Sequence, residues 1–180
     1  MKKIFSVVCL LIVLNTQAQV QKATLQASGL TCSMCSNAIN KALKTIDYVE
    51  KVMANIQTSS FNITFKQGAK VNFDDLKLKV EDAGFSVASL TATVDFENTS
   101  ITNDAHINVD GMVFHFLNVN DQTLSGIQTI KVIDKGFVSA KDYKKNGKYT
   151  KMECYKTGMA GSCCTKAGLA AGTRIYHVTI

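Results

Sequence analysis

The chain of 180 residues contains no proline and no tryptophan. The lack of proline counts against a thioredoxin-like enzyme, because that fold keeps a cis-proline beside its cysteine pair. After the first residues, no apolar stretch approaches the roughly 20 residues that a membrane-spanning helix needs. Basic residues are scattered except for a lysine-rich turn at 141–148, so the formal net charge of +6 does not predict nucleic-acid binding. No Ser/His/Asp set stands out either, and we expect no enzymatic activity.

The first 18 residues have the pattern of a secretory signal peptide. Lys2 and Lys3 precede the apolar run 7–14, and the small side chains of Thr16 and Ala18 suit a cleavage site after residue 18. We therefore expect an exported chain, periplasmic or secreted, with no membrane insertion once residues 1–18 are removed. Five cysteines lie beyond the signal peptide. Because that number is odd, at least one thiol must be unpaired or bound to another group.

Residues 20–92 are predicted to form a domain with the element order βαββαβ. The predicted elements are a strand over 22–27, a helix over 35–46, strands over 49–54 and 61–65, a helix between Asn72 and Gly84, and a strand over 85–90. Ile39, Leu43 and Ile46 recur at helical spacing and predict an apolar stripe on the first helix. This order is typical of the ferredoxin-like α+β sandwich, in which both helices cover one face of an antiparallel sheet.

The second half of the chain has a different texture. Turn-forming residues over 93–104 predict a linker, and 105–180 are predicted to form a small, mainly β domain. Its predicted elements are strands over 105–109, 112–119, 128–134, 149–156 and 173–180, a hairpin turn at Asp110-Gly111, and a short helix over 139–145. This order matches a small OB-like barrel, although many β folds share the count of strands.

A cysteine pair occupies the segment 29–35, which reads Gly-Leu-Thr-Cys-Ser-Met-Cys. The segment joins the first predicted strand to the first predicted helix, so Cys32 and Cys35 are expected on a surface loop at a helix N-terminus. Unpaired amide groups and the helix dipole lower a thiol pKa there, and the thiolate is the form that binds metals. Leu30 and Met34 are expected to pack against the core.

The ligand set of this pair restricts the metal. Cys32 and Cys35 have no third obvious ligand, and Thr31 beside them is not a carboxylate. Zinc takes about four ligands, whereas copper(I) accepts soft sulfur donors at low coordination number, so copper(I) is the predicted ion. A lone CxxC is also compatible with a structural disulfide, half of a zinc site or a redox pair; its place within a βαββαβ order favours metal binding.

Two segments resemble the heavy-metal-associated domain, the module of copper chaperones, copper-transporting ATPases and the periplasmic mercury-binding protein. They are the cysteine segment 29–35 and the segment 80–85, Val-Glu-Asp-Ala-Gly-Phe, and the resemblance covers residues 22–90. It implies that Cys32 and Cys35 are the metal ligands. It also implies that Phe85 takes the place of an aromatic or lysine near the site. Leu30 stands where the family usually has methionine.

We therefore expect an exported protein that binds copper(I), with mercury, silver, zinc and cadmium as alternative ions. Expected partners are the metal ion and a metal transporter or another metal-binding domain, but not nucleic acid. The competing interpretations are a thiol–disulfide oxidoreductase with Cys32 as nucleophile, and a metal sensor whose C-terminal domain binds a protein or glycan.

Further soft donors lie in the second half of the chain. They are Cys154, Met159, Cys163, Cys164 and His177, and glycines between them make the loop flexible. A disulfide from Cys154 to Cys163 or Cys164, a second metal site for copper, and free thiols are all compatible with this pattern. His106 and His115 fall in predicted strands and are interpreted as ordinary sheet residues.

Overall fold

The computed structural model of the protein describes residues 19–30, 32–165 and 168–180. The signal peptide predicted for residues 1–18 and the predicted role of Thr31 lie outside these ranges. Within them, no helix combines the length and the apolar character that crossing a lipid bilayer would require.

The described residues contain eight strands and five helices. The strands are β1 (Val20–Ser28), β2 (Val49–Asn55), β3 (Ser60–Phe65), β4 (Ser86–Ile101), β5 (Ala105–Val109), β6 (Met112–Phe116), β7 (Gln122–Val132) and β8 (Ile175–Thr179). The helices are α1 (Ser33–Lys44), α2 (Phe73–Asp82), α3 (Ala140–Asn146), α4 (Cys154–Thr157) and α5 (Ser162–Thr165). All eight strands belong to one sheet, in the order β2-β3-β1-β4-β7-β8-β6-β5.

The first six elements form the predicted ferredoxin-like βαββαβ unit. Its four strands are antiparallel, with β1 between β3 and β4. The amphipathic stripes of the two helices are buried as expected, through Ile39 and Leu43 on α1 and through Leu76 and Val80 on α2. The helical spacing of the apolar residues thus predicted which faces of α1 and α2 are buried.

The predicted linker over 93–104 is wrong for most of its length, because β4 continues through it to Ile101. Ala92, Val94 and Phe96 alternate inward and are buried, so the strand has a continuous core face. The turn-forming residues 97–100 accommodate a register shift between Phe96 and Thr99 instead of ending the strand. Strand β4 therefore pairs with β1 on one side and with β7 on the other.

The C-terminal strands extend this sheet and do not close a barrel. Within the described residues β2 and β5 are the two edge strands, so the OB-like barrel is wrong. Strand β7 pairs with β4 of the N-terminal unit, and β5 lies at the opposite end of the C-terminal strands, so these strands do not pair into a closed ring. The predicted hairpin turn is confirmed, with φ of 49° at Asp110 and 81° at Gly111. The strand predicted over 149–156 is also wrong: adjacent Cys154 and Tyr155 are both buried, which suits α4 better than the alternating faces of a strand.

A shared core joins the two halves. The Phe73 side chain, at the start of α2, is fully buried. Its ring lies 5.0 Å from that of Tyr176 on β8 and 6.5 Å from that of Phe114 on β6. Next to these rings, Arg174 pairs with Asp74 at 2.6 Å and with Asp134 at 3.1 Å. The helix of the N-terminal unit therefore packs directly on the C-terminal strands.

Candidate metal sites

The two predicted ligand cysteines meet at the start of α1. Cys32 is the N-cap of the helix, and its sulfur accepts a hydrogen bond from the backbone N–H of Cys35 at 3.4 Å. The two Sγ atoms lie 2.8 Å apart. Cys32 is exposed, whereas Cys35 is half-buried. The CxxC spacing thus brings both thiols to one exposed point, because residues i and i+3 share a face at a helix N-terminus.

The hydrogen bond between the two sulfurs makes the thiols unequal. The Cys35 side chain, followed by its backbone N–H, stabilises a thiolate at Cys32 and lowers the pKa of that thiol. The same bond raises the pKa of Cys35. Of the two thiols, the exposed Cys32 is therefore the one that loses its proton more readily.

The surroundings of the pair confirm one packing prediction and correct another. Leu30 is partly buried and packs against the core. Met34 is 81% exposed, so its predicted packing is wrong. It precedes Ile39 by five residues, which turns it about 140° away from the buried face of α1. A cleft of about 200 Å³ beside Cys32 is lined in part by Ile56, itself an exposed apolar side chain.

Within the described ranges, no other cysteine, histidine or carboxylate joins Cys32 and Cys35 to make a set of three donors. The site therefore offers a cation two sulfur ligands on an open surface.

A second group of donors lies across the C-terminal strands. His106 on β5, His115 on β6 and His177 on β8 are in register as neighbours across the sheet. The rings of His106 and His115 stack at 4.2 Å, and those of His115 and His177 lie 4.9 Å apart. Three strands thus place the three histidines in one row.

The sulfur of Cys154 faces this row. It lies 3.6 Å from Nδ1 of His115 and 3.9 Å from Nε2 of His106. Cys154 also forms a set of three sulfur donors with Cys163 and Cys164, within which no two donor atoms are more than 4.8 Å apart. All these cysteines are free thiols, so neither predicted disulfide from Cys154 is formed.

The interpretation of His106 and His115 as ordinary sheet residues missed this cluster. The two histidines are equidistant from the Asp110-Gly111 turn, so the predicted hairpin alone would have paired them across the strands. His177, which was considered as a donor, instead has its Nδ1 at 2.6 Å from Asp134 and belongs to neither set of three.

Burial sets the protonation of this second cluster. It lowers the pKa of His115 to about 4, despite a hydrogen bond from Nε2 to Asp104, and it also lowers the pKa of His106. The same burial raises the pKa of the Cys154 thiol. Both imidazoles are therefore neutral near pH 7, which is the form that binds metals.

Comparisons with known proteins cover the N-terminal half. Residues 24–86 match the heavy-metal-associated domain, while the C-terminal part has no family match. The chain is 36% identical over 86 residues to the mercuric transport protein periplasmic component of Pseudomonas fluorescens. The aligned residues are 47% of this chain and 93% of that protein.

Other relatives include a copper chaperone and an ATPase. The copper chaperone CopZ of Bacillus subtilis is 29% identical over 68 residues, with coverage of 38% of this chain and 97% of CopZ. A probable copper-exporting P-type ATPase of Archaeoglobus fulgidus is 32% identical over 74 residues, which are 41% of this chain but only 9% of the ATPase.

Among solved structures, oxidised MerP from Ralstonia metallidurans CH34 is 34% identical, with a TM-score of 0.35 and coverage of 38% of this chain and 97% of that one. The family match runs from within β1 to the first residue of β4 and contains both cysteines of the exposed pair. With 93% of the Pseudomonas relative covered at 36% identity, the protein belongs to the heavy-metal-associated domain family of metal-binding proteins.

Proposed function

We propose that the protein binds one copper(I) ion between the thiolates of Cys32 and Cys35 and carries or scavenges it outside the cytoplasm without being an enzyme. The observation that carries this proposal is the pair of sulfurs, 2.8 Å apart, at the exposed N-terminus of α1. No third cysteine, histidine or carboxylate of the described residues accompanies them. Two soft ligands at low coordination number suit copper(I) better than zinc.

The relatives support a soft ion but include both copper and mercury proteins by name. Mercury, silver and cadmium share the preference for thiolates, so they are the ions that compete with copper(I) for the pair. Zinc competes less well because the pair supplies only half of its usual ligands.

The exposure of Cys32 allows the bound metal ion to be transferred to a partner. An incoming thiolate can reach a metal held by Cys32 before either original ligand leaves. The exposed apolar side chains of Met34 and Ile56 lie near the pair and offer a contact surface. A metal transporter or another metal-binding domain with exposed thiolates is the kind of partner that this surface suits.

Titration with copper(I) against a chromophoric copper(I) chelator, under reducing conditions, tests the site. The Cys32→Ser/Cys35→Ser variant is expected to lose one equivalent of tightly bound copper(I). Ser33→Ala is the matched control, because it changes an exposed residue between the cysteines and leaves both thiols in place. Equal copper(I) binding by the wild type and the double variant would show that the ion lies elsewhere.

A thiol–disulfide oxidoreductase is the second candidate. The observation in its favour is the inequality of the thiols, since a lowered pKa at the exposed Cys32 also activates a nucleophile. This activity predicts catalytic turnover of a disulfide substrate that disappears in Cys32→Ser. The copper proposal predicts at most stoichiometric reaction, so a turnover assay with both proteins separates the two functions.

A further inference from the structure

We propose that His106, His115 and Cys154, with a thiolate of the Cys163-Cys164 pair, form a second metal site that takes zinc(II). This site is separate from the CxxC pair, and it lies in the part of the chain without a family match.

The spacing of the donors fits a common central ion. In a tetrahedral site with Zn–S of about 2.3 Å and Zn–N of about 2.0 Å, a nitrogen and a sulfur ligand lie about 3.5 Å apart. The sulfur of Cys154 lies 3.6 Å from Nδ1 of His115 and 3.9 Å from Nε2 of His106. Cys154 also belongs to the set with Cys163 and Cys164, whose sulfurs lie 3.4 Å apart. Because Cys154 is common to both sets, a metal held by His106, His115 and Cys154 would draw one sulfur of the Cys163-Cys164 pair toward it as the fourth ligand.

The hydrogen bond to Asp104 orients one of these ligands. Nε2 of His115 lies 2.8 Å from Oδ1 of Asp104, which directs the opposite nitrogen, Nδ1, toward Cys154. Metal-binding histidines usually donate their second N–H to a carboxylate or carbonyl in this way. Asp104 has a φ of 65°, so the backbone adopts an uncommon conformation where it supplies this carboxylate.

The donor types distinguish this site from the CxxC pair. Two imidazole nitrogens with two cysteine sulfurs make the S₂N₂ set that is typical of tetrahedral zinc. The exposed CxxC pair offers two sulfurs only. We infer that the two sites of the chain differ in the metal they prefer.

The burial of the donors also suits a metal site, because some of them are reachable from solvent and others are not. Cys154, Cys164 and His115 are fully buried, whereas His106 and Cys163 are partly exposed. The partly exposed ligands are therefore open to an incoming ion, and the buried ones shield it from water once it is bound. Backbone hydrogen bonds from Ala160 to Thr173 and from Ile175 to Gly158 hold the base of the cysteine loop against β8.

The first test removes the CxxC pair. Full-length Cys32→Ser/Cys35→Ser protein, reduced and treated with a chelator, is titrated with cobalt(II) as a spectroscopic substitute for zinc. We expect one equivalent of cobalt(II), with the intense visible bands of tetrahedral coordination and a near-ultraviolet thiolate-to-cobalt band. Added zinc(II) should displace it stoichiometrically. Because this background lacks the proposed copper ligands, the result is independent of the copper proposal.

Variants in the same background identify the ligands. His106→Ala is expected to weaken zinc binding at least tenfold. Cys154→Ser and Cys163→Ser/Cys164→Ser each remove one of the two sulfur ligands and are expected to weaken the thiolate band. Met159→Ala is the matched control, because Met159 is an exposed soft donor of the same loop that the proposed ligand set does not include. Since Cys154→Ser could unfold the protein, the half-exposed His106→Ala provides the decisive comparison, with metal-free thermal unfolding as the check of its fold.

Three results would overturn the proposal: no cobalt(II) or zinc(II) binding by the reduced background protein, binding of copper(I) but not zinc(II) there, or unchanged zinc affinity in folded His106→Ala. A disulfide from Cys154 to Cys163 or Cys164 in protein isolated from its own compartment would also overturn it, because the oxidised sulfurs cannot bind zinc.

Discussion

Replacing Phe73 by alanine tests whether the two halves of the chain share one core. The Phe73 ring is fully buried between α2 and the C-terminal strands, in edge contact with Tyr176 at 5.0 Å and near Phe114 at 6.5 Å. Losing a buried phenylalanine side chain costs about 4 kcal/mol, which includes the cavity left behind. About 1 kcal/mol of that loss belongs to the aromatic contact. We therefore expect the free energy of unfolding to fall by about 4 kcal/mol.

Thermal and urea unfolding, followed by circular dichroism, measure this effect. For a chain of this length, about 4 kcal/mol corresponds to a Tm lowered by roughly 8–16 °C. Phe73→Leu, which keeps most of the apolar volume, should lose only about 1 kcal/mol. Leu78→Ala on the exposed side of the same helix is the control and should change stability by less than about 0.5 kcal/mol.

The shape of the transition decides the interpretation. A shared core predicts that Phe73→Ala shifts a single transition involving the whole sheet. Two separate transitions, with only one shifted, would refute the idea that the halves fold together. A loss below about 1 kcal/mol would show that the Phe73 contacts with β6 and β8 contribute little.

Two further predictions concern the ion pairs and the hairpin. Burial alone would raise the pKa of Asp74, but Arg174 hydrogen-bonds to this carboxylate and holds its pKa below 3.8. We therefore expect Asp74→Asn to have a free energy of unfolding in urea that is about 1–2 kcal/mol lower than that of the wild type at neutral pH. This difference between the two proteins should shrink as the pH falls below about 3.8, because the wild-type carboxylate is then protonated as well. A difference that is constant with pH would contradict this. Gly111→Ala forces a side chain into a backbone with φ of 81° and should cost about 1 kcal/mol by the same assay, whereas Asp121→Ala in another exposed loop should not.

The exposed cysteine pair could be found from the sequence because its geometry is local. A spacing of three residues at the start of a helix brings two side chains together whatever the rest of the chain does. The βαββαβ order could be predicted for the same reason, since helix and strand periodicities are short-range properties. Helix α2 even begins after its predicted cap, Asn72, whose side chain accepts the Asp74 N–H at 3.0 Å.

Only the tertiary structure decided how the second half is attached and what it brings together. The pairing of β4 with β7 joins residues 21 to 42 positions apart. The polar residues 97–100 resemble a linker in the sequence, but in this pairing they form a register shift within the strand. Cys154 meets His106 and His115 across 48 and 39 residues through the parallel β6–β8 pairing and the cysteine loop. Short-range patterns cannot specify such contacts, because they depend on which strand edges the remainder of the sheet leaves free. The sequence by itself therefore determined the CxxC site, and the tertiary structure alone assembled the histidine–cysteine cluster.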